Sequence, residues 1–314
     1  MRCVLLFNPA AGRNRQKRKA VVERVADALR REGHSAEVIE TKQPGAAPGT
    51  TGDALTQPDA VFACGGDGTV HEVMQGLVCD GREPAAALGI VPLGSANVLA
   101  RHLRLPLNPV AAASLQMRGE PRTIPVGKVR GENGERYFVV MAGAGPGGAL
   151  AHDMPSGSKS QMGRLAYYTH AARLFLSRRF EPFEVEWTEK ADGVVFRQRA
   201  ISVMAVRVGN LGGIFSGLTD PGATIQDEAF KLHILSPPGW LGLPLWFLLG
   251  WLRAARLNPF LRIVDSTSFS CRPTGAAPVY VQVDGECFGT LPFDASVVPH
   301  SLRVMMPNRS LQTD

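Results

Sequence analysis

The sequence predicts an α/β nucleotide-binding domain built on a parallel sheet, followed by a second, β-rich domain. Three observations carry that division. Strand-like and helix-like patterns alternate up to about Arg122, the grammar of a parallel sheet with helices on both faces. Apolar runs in that half end in glycine-bearing turns, Asn8–Gly12, Gly65–Thr69 and Pro92–Asn97. Beyond Arg122 the apolar runs are strand-like, with few helices between them. A chain of 314 residues has room for about two domains. We expect them at 1–122 and 123–314, with the C-terminal tail free to return to the first.

Taken in order, Cys3–Phe7 reads as a buried strand and Asn8-Pro9-Ala10-Ala11-Gly12 as a turn. A helix follows over about Arg15–Arg31, with Val21, Val22, Val25, Ala28 and Leu29 on one face. Gly33-His34 ends it, and Ser35–Thr41 alternates like a second strand. Residues 42–58, rich in Pro, Gly, Ala and Thr, read as a loop or at most a short helix. Ala60–Cys64 is a strand that enters Gly65-Gly66-Asp67-Gly68-Thr69, and a helix-like stretch runs on from Val70 to Leu77. Leu88–Val91 is the next strand, leading into Pro92-Leu93-Gly94-Ser95-Ala96-Asn97. In the second half Tyr137–Ala142, Ala200–Val208, Lys231–Leu235, Leu261–Val264 and Val279–Val283 read as strands, and about 162–177 and 244–257 as helices.

A composition of 45% hydrophobic and 20% charged residues is that of an ordinary globular protein. The 34 Lys+Arg against 28 Asp+Glu, a formal net charge of +6, lean toward anionic partners such as nucleotide, nucleic acid or an acidic membrane surface. A solvated basic surface is the plainer reading. Five cysteines form no C-x-x-C pair and no zinc spacing, so they read as buried free thiols in a reducing compartment. The apolar run after Met1 is too short for a signal peptide. A cytosolic location is expected.

A strand that ends in a glycine turn and opens a helix aims backbone N–H groups and a positive helix end at an anion. Gly65, Gly66 and Gly68 remove the Cβ atoms that would hold a phosphate away. A carboxylate within such a loop repels a bare phosphate, so Asp67 points to a divalent cation bridging it to a nucleotide. The three glycine-bearing turns lie where the carboxyl ends of parallel strands would be, and ligands of open α/β sheets bind along that edge. The basic run Arg13, Arg15, Lys17, Arg18 and Lys19 reads either as a solvated helix face or as a neighbour of phosphates or anionic lipid head groups. Taken alone, Asp284-Gly285-Glu286 is a hairpin turn.

Four segments occur in one order: Asn8-Pro9-x-x-Gly12, Gly65-Gly66-Asp67-Gly68-Thr69-x-x-Glu72-Val73, Pro92-Leu93-Gly94-Ser95-Ala96-Asn97 and Val283-Asp284-Gly285-Glu286. In that order they resemble the signatures of the diacylglycerol kinase catalytic domain superfamily, which includes sphingosine and ceramide kinases. The resemblance spans nearly the whole chain and is tightest to soluble bacterial lipid kinases. It implies an α/β domain related to those of NAD kinases and phosphofructokinases, a β-rich, sandwich-like domain, and an active site in the cleft between. It also implies that Asn8, Pro9, Gly12, Gly65, Gly66, Asp67, Gly68, Thr69, Glu72, Gly94, Ser95 and Asn97 bind ATP and its Mg²⁺. Glu286 would be the general base toward a lipid hydroxyl, and Asp284 would help to place metal or base. On this reading Asp67, Asp284 and Glu286 are the catalytic set, and Asp67 and Asp284 the metal ligands. Phosphoryl transfer asks mostly for positioning and charge neutralisation, and an attacking alcohol needs a proton acceptor within reach.

The chain departs from the family pattern twice. A glycine-Phe-Asp-Ala-like segment is replaced by Gly145-Pro146-Gly147-Gly148-Ala149, with Asp153 the nearest acid downstream. An Asp-Gly-Leu-Leu-Asp stretch, linked in bacterial members to an accessory structural Mg²⁺, is replaced by Asp227-Glu228-Ala229-Phe230-Lys231-Leu232.

From Ile234 to Leu252 there is no charge, and Trp240, Trp246 and Trp251 are three of the chain's four tryptophans. The prolines leave a helix of about a dozen residues from Pro244, shorter than the ~20 that span a bilayer. It has no polar face and must bury itself somewhere. Arg253, Arg256 and Arg262 follow. Tryptophans beside arginines suit a membrane interface; packing on the β domain or in a dimer interface is the alternative. The leading expectation is an ATP-dependent lipid kinase. It would transfer the γ-phosphate, with Mg²⁺, to a primary hydroxyl of a membrane lipid (diacylglycerol-like, phosphatidylglycerol or sphingoid) as a cytoplasmic protein peripherally associated with the membrane. The rivals are a soluble-metabolite kinase of the NAD kinase type and a nucleotide- or lipid-binding protein that has lost turnover. The expected partners are ATP and lipid at the membrane surface, with no nucleic acid and a homodimer left open.

Overall fold

A computed structural model describes residues 1–8, 15–41, 58–154, 169–171, 173–175, 179–190, 193–212 and 217–308. The chain forms two compact units, Met1–Ile124 with His300–Asp314, and Pro125–Pro299.

In the first unit β1 (Arg2–Phe7) is followed by α1 (Arg15–Arg31), β2 (Ser35–Glu40), β3 (Ala60–Gly65), α2 (Asp67–Leu77), β4 (Ala87–Pro92), α3 (Val98–His102) and α4 (Pro109–Met117). The strands lie in the order β2-β1-β3-β4, every neighbour parallel. Beyond β4, Arg303 and Val304 run parallel beside Ala87 and Leu88. β3 and β4 are buried at every residue, as strands covered on both faces are. α1 turns Val22, Val25 and Leu29 onto Leu5, Phe7 and Phe62, the apolar stripe its 3.6-residue period demands. Further along β4, the buried Gln116 of α4 accepts the Ile90 N–H at 2.9 Å and donates to its carbonyl at 2.7 Å. One side chain thus stands in for a strand neighbour just ahead of the Pro92–Asn97 turn.

The second unit contains most of β5 (Glu120–Gly131), then β6 (Gly134–Phe138), β7 (Met141–Ala144), α5 (Pro146–Asp153), β8 (Phe183–Glu189), β9 (Val195–Ala200), β10 (Ser202–Val206), β11 (Phe230–Leu235), α6 (Gly239–Trp251), β12 (Leu261–Pro273), β13 (Tyr280–Val283), β14 (Glu286–Thr290) and the start of β15 (Phe293–Met306). Its sheet runs β14-β13-β7-β10-β11-β12-β15, antiparallel throughout. An aromatic core of Phe138, Phe230, Phe269 and Phe293 packs in stacked and edge-on pairs 5.4–5.9 Å apart.

The fold class is as the sequence predicts, and the local differences have physical causes. Residues 137–142 do not form one strand; the chain bends between β6 and β7, where Asp284 gathers its N–H groups. α5 occupies the glycine-rich stretch that departs from the family pattern, and it packs so closely on β13 that a Cβ on Gly148 would collide with the Tyr280 carbonyl. α6 begins at Gly239, five residues earlier than expected, because the Pro238 carbonyl accepts the Gly242 N–H and starts the helix ahead of Pro244. Of the helix expected at 162–177, residues 169–171 and 173–175 are helical, and the remainder lies outside the described residues, as does most of 42–58. Cys3, Cys64 and Cys271 are buried and Cys79 partly so, while Cys287 is exposed.

β11 carries His233, 1% exposed, with neither ring nitrogen hydrogen-bonded and its ring 6.1 Å from that of Trp246. Burial pushes the imidazole from 6.5 down to about 4; Asp220 opposes this, and Arg256 and Lys231 add to it. The folded protein therefore holds the neutral ring, while the unfolded chain takes up a proton between those two values. Stability present above pH 6.5 is lost as the pH falls through this window, by about 2 kcal/mol at about pH 5. We expect urea midpoints at neutral and mildly acid pH to separate accordingly, and the gap to narrow in His233→Leu. An unchanged gap in the variant would assign the acid sensitivity to other groups.

Candidate active site

β3 and β4 end side by side, Gly65 opposite Pro92, and the Leu93 N–H donates to the Gly65 carbonyl at 2.9 Å. The turns that follow lie in contact. A Cβ on Gly94 would come within 2.5 Å of the Gly66 Cα and 2.8 Å of Asn97 Oδ1, so close backbone approach is what requires glycine there. Asp67, the first residue of α2, accepts the N–H of Val98, the first residue of α3, on Oδ1 at 2.6 Å. That short, charge-assisted bond joins the two turns. Asn97 takes the left-handed conformation at φ 49°. Its amide accepts the Gly94 N–H at 3.0 Å and donates to the Gly94 carbonyl at 2.8 Å, closing the turn and leaving Gly94 and Ser95 exposed. The Thr69 side chain packs against Gly65, where a Cβ would collide with its hydroxyl. Among the described residues no side chain caps α2, whose N-cap is Gly66, and an uncapped helix start offers its N–H groups and positive end to an anion. Gly68 and Glu72 are half-buried on α2, and Asn8 is half-buried at the end of β1. Pro9 and Gly12 lie outside the described residues.

Arg18 was embedded in the basic run, yet it differs from its neighbours. Lys19 and Arg15 pair with Glu40 at 2.8 and 3.0 Å on an exposed face. Arg18 instead points inward, its guanidinium 5.9 Å from the centre of the Phe7 ring and its Nε buried with no hydrogen-bond partner among the described residues. Burial lowers its pKa, and the nearby Cys64 thiol acts the other way. The sequence signal was its register: 18, 22, 25 and 29 share the apolar stripe of α1.

In the second unit Asp284 and Gly285 have φ 48° and 83° and join β13 to β14, with Val283 opposite Glu286. Two consecutive positive φ values make a turn of the I′ kind, which matches strand twist. Asp284 faces inward. Its Oδ1 accepts the N–H groups of Val140 and Met141 at 3.0 and 2.9 Å, and its Oδ2 that of Val139 at 3.1 Å. The same unit contains a buried cation with no place in the sequence expectation. Arg207 donates through Nη2 to the carbonyls of Pro125, Ile225 and Asp227 at 2.8–3.0 Å, and its backbone N–H donates to Val140. Burial brings its pKa down to about 10 against the pull of Asp227 and Asp284, so it is charged at neutral pH. An arginine inside the apolar run 200–208 was the available signal.

Glu286, in contrast, is partly open, its side chain 23% exposed and its Oε2 3.6 Å from Arg136 Nη1. Arg136 in turn lies 5.6 Å over the Phe288 ring. A pair so exposed contributes little to stability, but it orients the carboxylate. Asp153 is exposed at the end of α5. Lys231 pairs with Asp265 at 2.7 Å, and Asp227 Oδ2 accepts the Thr224 N–H at 3.0 Å. Among the described residues no group of three His, Cys, Asp or Glu side chains is arranged to hold a metal ion.

A parallel α/β unit whose glycine turns meet through an aspartate, followed by a β-rich unit, is the arrangement that the sequence resemblance implied, and the comparisons agree. Residues 2–129 match the family model of the diacylglycerol kinase catalytic domain. The chain is 28% identical to the diacylglycerol kinase of Bacillus subtilis (strain 168), over 99% of this chain and 98% of that protein. It is 26% identical to the diacylglycerol kinase of Staphylococcus saprophyticus, over 98% and 96%. The fold matches a crystal structure of a diacylglycerol kinase from Bacillus anthracis str. Sterne with a TM-score of 0.71 at 24% identity, over 99% of this chain and 98% of that one. Along nearly its whole length the chain is thus similar to diacylglycerol kinases, with the catalytic domain model matched over residues 2–129.

The two carboxylates of the hairpin should respond oppositely to substitution. Asp284→Ala strands three backbone donors, and we expect a loss of about 2–4 kcal/mol in urea unfolding. Glu286→Gln weakens a partly exposed ion pair with Arg136 and should stay within about 1 kcal/mol of wild type. The reverse order would refute the clamp assigned to Asp284.

Proposed function

We propose that this chain transfers the γ-phosphate of ATP, with Mg²⁺, to a hydroxyl of a diacylglycerol-like membrane lipid, as a peripheral protein on the cytoplasmic side. The observation that carries the reading is the Asp67–Val98 bond, which holds a carboxylate between two glycine turns ahead of an uncapped helix start. The relatives that bear the name diacylglycerol kinase along their whole length support diacylglycerol as the acceptor class.

We assign the nucleotide to the turns at 65–69 and 94–97, with the first-turn N–H groups of α2 turned to its phosphates and Asn8, Glu72 and Ser95 beside them. Pro9 and Gly12 complete the set by the resemblance alone. The donor chemistry fits Mg²⁺ that arrives on the nucleotide, since such an ion takes one or two carboxylates and draws its other ligands from phosphate and water. Asp67 would hold it. When bound, Mg²⁺ offsets the charge on the phosphoryl group in transfer. Asp284, occupied by three N–H groups, we assign to fixing the hairpin rather than to the metal. Glu286 takes the proton of the lipid hydroxyl as that oxygen bonds to the γ-phosphorus. The bond from phosphorus to the β–γ bridging oxygen breaks, and ADP leaves.

The test is transfer of label from γ-32P-labelled ATP to diacylglycerol, phosphatidylglycerol, sphingosine and ceramide in mixed micelles, and to NAD. We expect labelled phosphatidic acid, with turnover reduced about 100-fold or more in Asp67→Ala and in Glu286→Gln. Equal transfer by wild type and Glu286→Gln would remove the assigned base. Labelled NADP without labelled lipid would replace the reading by a soluble-metabolite kinase.

A further inference from the structure

Helix α6 is apolar on two opposite faces. Gly242, Leu243, Trp246 and Gly250 turn inward onto a cluster with Ile201, Leu235 and Leu261. The Asn258 amide ties the first turn down by donating to the Gly242 carbonyl at 3.0 Å. The face opposite is no more polar. Leu241, Pro244, Leu248 and Trp251 recur at the spacing of one helical stripe and are exposed. Trp240 and Trp251, near the two ends, are each 79% exposed. With Leu241, Leu248, Leu252 and Leu257, they make up more than half of the exposed large apolar side chains among the described residues. A patch this concentrated marks an interaction surface.

The charge around it selects the partner. From residue 229 to 264 the chain has four cations and no acid. Arg256 and Arg262 pair with Asp220 and Glu189, but Arg253 stands exposed one residue past the helix cap. Arg179, also exposed, adjoins Phe180, which packs in the cluster beneath α6. Tryptophans at the ends of a short apolar helix, with arginines beside them, match the boundary between acyl chains and acidic head groups. Among the described residues no helix is long and apolar enough to cross a membrane. We infer that the outer face of α6 is a docking surface for an acidic phospholipid bilayer, with Trp240, Leu248 and Trp251 entering the interface and Arg179 and Arg253 meeting lipid phosphates. The inference rests on the lipid-kinase reading in that it brings the enzyme to its acceptor.

Vesicles of equal parts phosphatidylglycerol and phosphatidylcholine test it, with phosphatidylcholine alone as control. The wild type should co-sediment with the acidic vesicles, and its tryptophan emission should be quenched when the acyl chains are brominated. Trp240→Ser/Leu248→Ser/Trp251→Ser should bind at least about tenfold more weakly. It should lose activity in proportion on vesicle-borne diacylglycerol and stay within about twofold of wild type on a dispersed short-chain diacylglycerol. Unaltered vesicle binding by a variant with wild-type circular dichroism overturns the inference. So does wild-type emission untouched by brominated lipid, a result that needs no variant. A wild-type dimer that the substitutions dissociate, with vesicle binding unchanged, would assign the face to a second copy of the chain. Vesicle binding without phosphorylation of any lipid would leave the docking surface standing and remove the kinase reading instead.

Discussion

The first unit is organised by the contact between Gly66 and Gly94. Neighbouring strands lie about 4.8 Å apart, and β3 and β4 must each leave the sheet at the same level and turn toward a helix. Side chains at these turns would force the backbones apart; glycines let them touch. Contact alone would not fix their conformation. Asp67 supplies the tie by accepting the Val98 N–H, so the start of α2 and the start of α3 share one charge. A hydrogen bond to a charged acceptor contributes about 1.5–3 kcal/mol, the same order as the cost of a left-handed residue such as Asn97, about 1–3 kcal/mol. Asn97 recovers part of that cost through its two bonds to Gly94. The result is a pair of turns whose shape is fixed by their own contacts.

What the sequence revealed follows the range of the interaction concerned. α1 was legible residue by residue, because its apolar period and its Gly33-His34 ending are local. β3 and β4 were legible because strands buried on both faces are continuous apolar runs. The bend between β6 and β7 was not, since its cause is Asp284, 143 to 145 residues away. The site shows the same limit. Its glycine turns and Asp67 stand out as motifs, but the bond from Asp67 to Val98 spans 31 residues, and nothing in either segment announces it. Asn97 was expected as a nucleotide ligand, and its amide is engaged with Gly94. Arg18 was read only as one of a basic run, and Arg136 and Arg207 were overlooked, for a related reason: a cation means something only once its surroundings are known. Arg18 and Arg207 at least stood in apolar patterns, which is a detectable conflict.

Arg207 shows how the second unit manages a buried charge. An uncompensated guanidinium in a protein interior is expensive, and a buried pair need not add net stability. Here one nitrogen gathers three carbonyls, from residues 125, 225 and 227, while Asp227 and Asp284 provide the opposing charge. The side chain thereby ties the start of the unit to the loop before β11, and the backbone N–H of the same residue reaches the Val140 carbonyl in the bend under the hairpin. Lys231 and Asp265 close the neighbouring strands in the same manner, at the surface. Cohesion in this region comes from the chain's own cations.

That arrangement separates the roles of two carboxylates only two residues apart. In a hairpin closed by a two-residue turn, the residues at the turn and at the strand start have different neighbours even though they are adjacent in sequence. Asp284 is turned in, toward three N–H donors and a buried arginine, and cannot move without breaking the bend that carries it. Glu286 sits on the first position of β14, its side chain 23% exposed and Arg136 Nη1 3.6 Å from its Oε2. A proton acceptor must exchange its proton with solvent or product after each turnover, which a carboxylate locked like Asp284 could do only by releasing its donors. Rigidity and accessibility are therefore divided between the two: Asp284 supplies the fixed geometry, and Glu286 the partial exposure that the proposed acid–base role would demand. The same Asp-Gly-Glu segment that reads as an ordinary turn becomes, once Asp284 is seen to face inward, a mount for its neighbour.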